Sequence, residues 1–296
     1  MPTRQWFLLV VICAIASNGL CAEKTLILDT DSQAVQLNLV FNIGGATLNV
    51  AQSTDTTYIV KAVVAYSDDR LEPSLIQTDN ATTFNSGVIV GSYPPGTVHD
   101  WQITVGAYAT PTNLIINLGG VSGDMDFGGM PLKNFDAQLG GCSLTIDFST
   151  PTQSAVDRIL INAGGVGMSV MNIGNTDFNN LVLDTGGGLT RLDFSGTYSE
   201  GNHICKSVIA GSKLSISVPQ SAGESLQATT VAAPLLVTGE GWIQEIKNPV
   251  LKKYVTDDYE TQSILIDIFI SAAGSAIDIN RSTGSVEWDI MRLPGS

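Results

Sequence analysis

Apolar and polar residues alternate with period two along much of this chain, and between residues 114 and 219 the alternation recurs as one phrase written five times. The phrases are NLIINLGGVSGDMDF, KNFDAQLGGCSLTIDF, DRILINAGGVGMSV, NNLVLDTGGGLTRLDF and ICKSVIAGSKLSISVP. Each centres on a small pair: Gly119-Gly120, Gly140-Gly141, Gly164-Gly165, Gly186-Gly187 and Ala210-Gly211. Successive pairs lie 21, 24, 22 and 24 residues apart. A period of that size means stacked supersecondary units. Period two with central glycine argues for strands and against helices.

Aligned on the small pair, three inward columns emerge. They run Leu118, Leu139, Ala163, Thr185, Ile209; then Ile116, Ala137, Ile161, Leu183, Ser207; then Leu114, Phe135, Ile159, Leu181, Cys205. Asn117, Gln138, Asn162 and Asp184 fall between them on a wet face. Past the corner a second short strand puts Met125, Ile146, Val170, Leu192 and Ile216 in register. One unit is strand, glycine corner, strand, loop. Alone it leaves its apolar face bare, so units stack about 4.8 Å apart into a continuous core. The glycines serve sharp turns and positive φ. No lysine in phosphate-loop spacing and no following helix pattern supports a nucleotide cradle. Residues 37–50 (Leu39, Phe41, Ile43 inward) and 266–279 (Ile268, Ile270, Ala272 inward) repeat the phrase and are expected as terminal rungs.

The expected fold is all-β: a single-domain β-solenoid, parallel β-helix-like, of glycine-centred repeats of 21–24 residues with atypical terminal rungs. Residues 1–22 read as a secretory signal, with Arg4 ahead of an apolar run at 6–16 that is too short to span a membrane. Leu20 precedes Cys21 where a lipoprotein signal wants a small residue. The domain then occupies 23–281, with regular repeats at 114–219, an insertion at 220–263, a final rung at 264–280 and a tail at 282–296. The insertion is expected to hold one or two strands and a surface loop.

Charge narrows the partners. The chain has 14 basic and 28 acidic residues, net −14, and loses one more positive charge with the signal. An acidic chain repels nucleic acid and anionic lipid. No later segment is long and apolar enough for stable membrane insertion.

Candidate chemistry is thin. Cys142 and Cys205 are three rungs apart, roughly 14 Å, against about 5.5 Å for a disulfide; two free buried thiols are expected. His99 and His203 read as solvated loop residues, too few for a zinc site. Asp126, Asp147 and Asp193 share an outward column, each followed by phenylalanine. Stacked carboxylates bind Ca²⁺, but Met171 and Ser217 break the ladder. No catalytic, cofactor or metal residues are assigned. The insertion's Trp242, Tyr254 and Tyr259 are the candidate binding residues, able to stack on a sugar ring or partner side chain.

The order of these segments resembles the toast-rack family, bacterial envelope proteins related to the C-terminal domain of LiaF-like cell-wall stress sensors. The resemblance covers roughly residues 30–281. It rests on VQLNLVFNIGGATLNV, on LEPSLIQTDN, on Trp101 ahead of the first regular unit, on the glycine-centred repeats ending at Pro219, and on YVTDDYETQSILIDIFISAAGSAIDI. It implies a right-handed, slab-like stack of β-rungs and a scaffold or protein-interaction role outside the cytoplasm, with no catalytic residues. The expected function is an exported, periplasmic or extracellular, non-enzymatic module that binds an envelope protein or cell-surface polymer. A carbohydrate-binding or adhesin-like module is the alternative, and a β-helix polysaccharide enzyme is third. The terminal rungs offer a surface for end-to-end oligomers.

Overall fold

The computed structural model describes residues 21–30, 36–78, 81–87 and 95–282. Residues 1–20 of the expected 1–22 signal and residues 283–296 of the expected tail therefore lie outside the described residues, while Ala22 opens the first strand. Among the described residues no helix is long and apolar enough to cross a membrane.

Among the described residues, twenty strands join in one hydrogen-bonded sheet. The N-terminal part supplies β1 (Ala22–Asp29), β2 (Leu37–Gly44), β3 (Thr47–Gln52), β4 (Tyr58–Tyr66), β5 (Ser74–Gln77), β6 (Thr82–Asn85) and β7 (His99–Val105). The central rungs are β8 (Thr112–Gly119) with β9 (Ser122–Asp126), β10 (Leu132–Gly140) with β11 (Ser143–Asp147), then β12 (Arg158–Met171), β13 (Asn180–Asp193) and β14 (Gly201–Pro219). The last three run unbroken through their corners. The C-terminal part supplies β15 (Gly223–Val231), β16 (Leu235–Thr238), β17 (Trp242–Lys247), β18 (Leu251–Thr256), β19 (Ile264–Ala273) and β20 (Ala276–Ser282).

The central rungs pair in parallel, in the register the small pairs predict. Leu114 faces Phe135, Phe135 faces Ile159, Ile159 faces Leu181 and Leu181 faces Cys205. All five are buried, in a core cluster that runs from Leu26 to Ile279. The second glycine of a corner takes the left-handed conformation, as at Gly165 (φ 64°), which lets the chain turn between the two arms of a rung. On the wet face asparagines bridge rungs side chain to side chain. Asn134 donates to Asn113 and Asn113 to Asn38, each at 2.8 Å; Asn117 donates to Asn42 (2.7 Å) and Asn42 to Asn85 (2.9 Å). Identical residues at one column position satisfy each other rung after rung, as in other stacked β-structures.

The ends depart from sequence order. The 37–52 segment is not terminal: β2 lies between β8 and β6, and β3 between β9 and β7. Beyond them β4 pairs antiparallel with β7, and β1 with β4. The far end mirrors this. β19 lies between β14 and β15, and β20 between β14 and β16. The chain thus leaves a gap after β14, builds the outer rung, and returns to fill the gap. Columns of apolar residues specify who can neighbour whom, but a matching column fits either side of a rung, so order at the ends escapes the repeat.

Two further expectations change. The 220–263 segment holds four strands, two of which form a rung of the stack, because Glu224, Leu226 and Ala228 continue the inward alternation. His99 and His203 are not solvated. They lie in β7 and β14 and are about 5 % and 4 % exposed. Their position two residues before inward Trp101 and inward Cys205 places them in the core, which adjacent turn residues obscured.

Candidate functional site

The C-terminal end of the stack gathers the chemically distinctive side chains. Here β15 pairs in parallel with β19 on one edge and antiparallel with β18 on the other, and β17 pairs with β18 as a hairpin.

At its base lies a buried charge cluster. Arg281 continues the inward column after Ile277 and Ile279 on β20, where an aliphatic residue would otherwise stand. Its Nε is 2.8 Å from Glu224 Oε2, and its Nη2 donates to Asp258 Oδ2 at 2.8 Å and Oδ1 at 3.0 Å. The guanidinium also donates to the carbonyls of Ala222 (3.1 Å), Glu240 (3.3 Å) and Gln220 (3.4 Å). The Glu224 contact is Coulombic: the N–H is not aimed along it, and neither Glu224 carboxyl oxygen has a hydrogen bond among the described residues. Burial pushes the Glu224 carboxyl up to about 8, aided by nearby Asp258 and opposed by Arg281. Asp258 goes the other way. Partial burial raises it, but hydrogen bonds from Thr256, Arg281 and Gln262 outweigh that and leave it below the usual carboxylate range. Arg281 therefore ties together β15, β20 and the turn after β18. A buried pair of this kind costs desolvation and specifies geometry more than it stabilises.

The three aromatic candidates separate. Trp242 and Tyr254 stand edge to face, centroids 6.5 Å apart and planes at 86°, half-buried against the core. Trp242 Nε1 is buried without a hydrogen-bond partner among the described residues. Tyr259 is turned to another job: its hydroxyl donates to Asp267 Oδ1 at 2.8 Å, and partial burial with that carboxylate pushes its phenol up to about 12.

The other candidates are committed to structure. His99 Nε2 accepts from Trp101 Nε1 (2.9 Å), which leaves Nδ1–H for the Gly45 carbonyl (3.3 Å). Burial lowers the His99 pKa, against smaller opposing effects of backbone carbonyls and Asp100. His203 Nδ1 is 2.6 Å from the Phe178 carbonyl. Cys142 and Cys205 are free and buried, and burial pushes the Cys205 thiol up to about 12. Asp126 accepts from Ser149 Oγ (2.6 Å) and Gly128 N (2.9 Å), and Asp147 accepts from Asn172 Nδ2 (2.7 Å). Asp193, expected on a wet face, is buried and accepts from Ser195 Oγ (2.7 Å). Among the described residues no group of three His, Cys, Asp or Glu side chains gathers as for a metal. A shallow, open depression along the corners is lined by Gln138, Asn162 and Asp184 and carries a single carboxylate.

The buried Glu224–Arg281 pair was missed by the sequence reading, which ended the last rung at Asn280. The signal existed: Ile277, Ile279 and Arg281 alternate, as do Glu224, Leu226 and Ala228.

Fold and site define a parallel β-repeat protein of the solenoid class, capped at one end by an antiparallel hairpin. The chain belongs to the toast-rack family: the profile of the N-terminal domain of toast_rack (DUF2154) matches residues 18–168, just over half of it. That match ends within β12, midway through an unbroken stack. A comparison with curated proteins finds no match. Among solved structures, a candidate cell adhesion protein from Clostridium sporogenes ATCC 15579 is similar at 16 % identity and TM-score 0.43, covering 88 % of this chain and 99 % of that one. A candidate adhesin from Bacteroides fragilis NCTC 9343 is similar at 11 % identity and TM-score 0.42, covering 88 % and 96 %.

Proposed function

We propose that this chain is an exported, non-enzymatic β-repeat module that serves as a scaffold or interaction domain at the bacterial cell envelope. One observation carries the reading. The side chains able to do chemistry are spent on holding the stack, while large exposed apolar residues collect toward its C-terminal end. Val208, Val231, Leu236, Ile243, Ile246, Val250 and Phe269 are all exposed there. Exposed apolar residues that gather into a patch mark a protein or membrane contact site. Family membership supports an envelope setting, as the resemblance implies.

The test uses the mature chain, residues 23–296, as bait against envelope extract and purified cell-wall polymers. Saturable capture of an envelope protein or polymer, with no new reducing ends or cleavage products, is the expected result. Turnover of any polymer would overturn the non-enzymatic reading. Deleting 220–263 is not a useful control, since β15 and β16 are part of the stack.

A further inference from the structure

The β17–β18 hairpin has a charge opposite to the molecule that bears it. The whole chain is net −14, yet residues 242–256 hold three lysines and one glutamate. Lys253 is neutralised by Glu245 at 2.7 Å. Lys247 and Lys252 form no ion pair among the described residues. They stand directly opposite each other across the antiparallel pair. Like charges in that position repel, and an anion lying against both would relieve them.

Between these lysines the tip is apolar and preformed. Asn248 Oδ1 accepts from Val250 N at 2.9 Å, fixing the turn. Val250 is 48 % exposed and Ile246 39 %, with Pro249 between them also exposed. The opposite end of the hairpin is anchored by Trp242 and Tyr254 packing on the core. Beyond that base come Asp257, Asp258 and Glu260. Asp257 lies five residues after Lys252, roughly 17 Å along the strand. That is about two Debye lengths at physiological salt, so the tip's field is not cancelled by the acids behind it.

We propose that the hairpin tip, residues 246–252, docks on an anionic lipid bilayer. Lys247 and Lys252 take headgroup phosphates, while Pro249 and Val250, beyond them at the turn, reach the headgroup–acyl boundary. The combination selects this partner. A soluble polyanion would satisfy the lysines and leave the apolar tip wet. A second copy meeting hairpin to hairpin would face two unneutralised lysines with two more. The contact is peripheral, since a few side chains insert and no segment crosses. It goes beyond the envelope reading above by naming a surface that would orient the stack, acidic body away from the membrane.

The test is co-sedimentation of the mature chain with vesicles of phosphatidylcholine alone and of phosphatidylcholine with phosphatidylglycerol. The expected result is binding to the anionic vesicles only, weakening as salt rises. Lys247→Gln with Lys252→Gln lowers partitioning roughly thirtyfold, the equivalent of about 1 kcal/mol per lysine. Pro249→Ser with Val250→Ser lowers it while keeping the salt slope. Lys247, Pro249 and Val250 are exposed and Lys252 is half-buried, so an unchanged Tm certifies the fold of each variant. Absence of binding to anionic vesicles, equal binding to neutral ones, or binding unaffected by the lysine changes overturns the proposal. So does competition by soluble polyphosphate combined with indifference to the serine changes. Envelope-extract capture is scored without vesicles, so the two readings fail separately.

Discussion

At a rung corner two adjacent glycines have different duties. Gly165 has φ 64°, where a side chain costs about 1–2 kcal/mol, whereas Gly164 sits in open space with no left-handed φ. The chain itself shows the asymmetry, since Ala210 and Ala273 occupy the first position and Gly211 and Gly274 the second. Gly165→Ala is thus expected to destabilise by about 1–2 kcal/mol, and Gly164→Ala to be neutral or stabilising by up to about 1 kcal/mol; urea unfolding of both variants decides it. His99 gives a second prediction. Burial disfavours its charged form, so the folded core holds its pKa below 6.5, and its Nε2 accepts from Trp101 as the neutral ring does. The unfolded chain then binds the proton more readily. The contribution is present above pH 6.5 and lost as pH falls through the window beneath it. Tm measured down to about pH 5 should fall more for the parent than for His99→Gln, which carries no titrating ring; parallel curves would refute the assignment.

At the scale of elements, the C-terminal cap depends on one guanidinium. Arg281→Met strips Asp258 of its counterion and three carbonyls of their donor, and should cost about 3–5 kcal/mol, read by chemical denaturation. Recovery of most of that loss in Arg281→Met with Asp258→Asn would show that the stranded Asp258 carboxylate is the main penalty. Glu224 also sets a pH dependence of opposite sign to that of His99. Its carboxyl is raised from 4.5 to about 8 in the fold. Its contribution is therefore full below pH 4.5 and lost as pH rises through about 8. Glu224→Gln should flatten the fall in Tm between pH 4.5 and about 8, and an unchanged slope in that window would sink the claim.

At the scale of the molecule, the fold is a ladder whose ends are laced. Because β19 and β20 fill the space between β14 and the outer rung, the last rung of the sequence is not the last rung of the stack. A chain truncated after Gln262 loses the partner of both β14 and β15. Limited proteolysis should then cut throughout 220–262 while sparing the central rungs. A truncated chain as resistant as the parent would mean that β15 pairs directly with β14. Repeat proteins are stabilised by neighbour contacts, so the loss should stay local rather than unfold the whole.

The sequence by itself determined the rung. Period two, the glycine corner and the inward columns are local facts, and each inward residue of the central repeats is found opposite the partner its column names. Even the cysteine placement followed, since strand spacing alone separates the two thiols. What only the tertiary structure decided was order and company. A rung offers the same apolar column on either side, so nothing local says that 37–52 and 264–282 insert between their neighbours rather than end the stack. Nor does alternation reveal that an inward arginine on β20 meets a glutamate on β15 and an aspartate after β18, or that two lysines confront each other across a hairpin. Those depend on strands distant in sequence arriving at adjacent positions, and strand pairing is set by the whole stack.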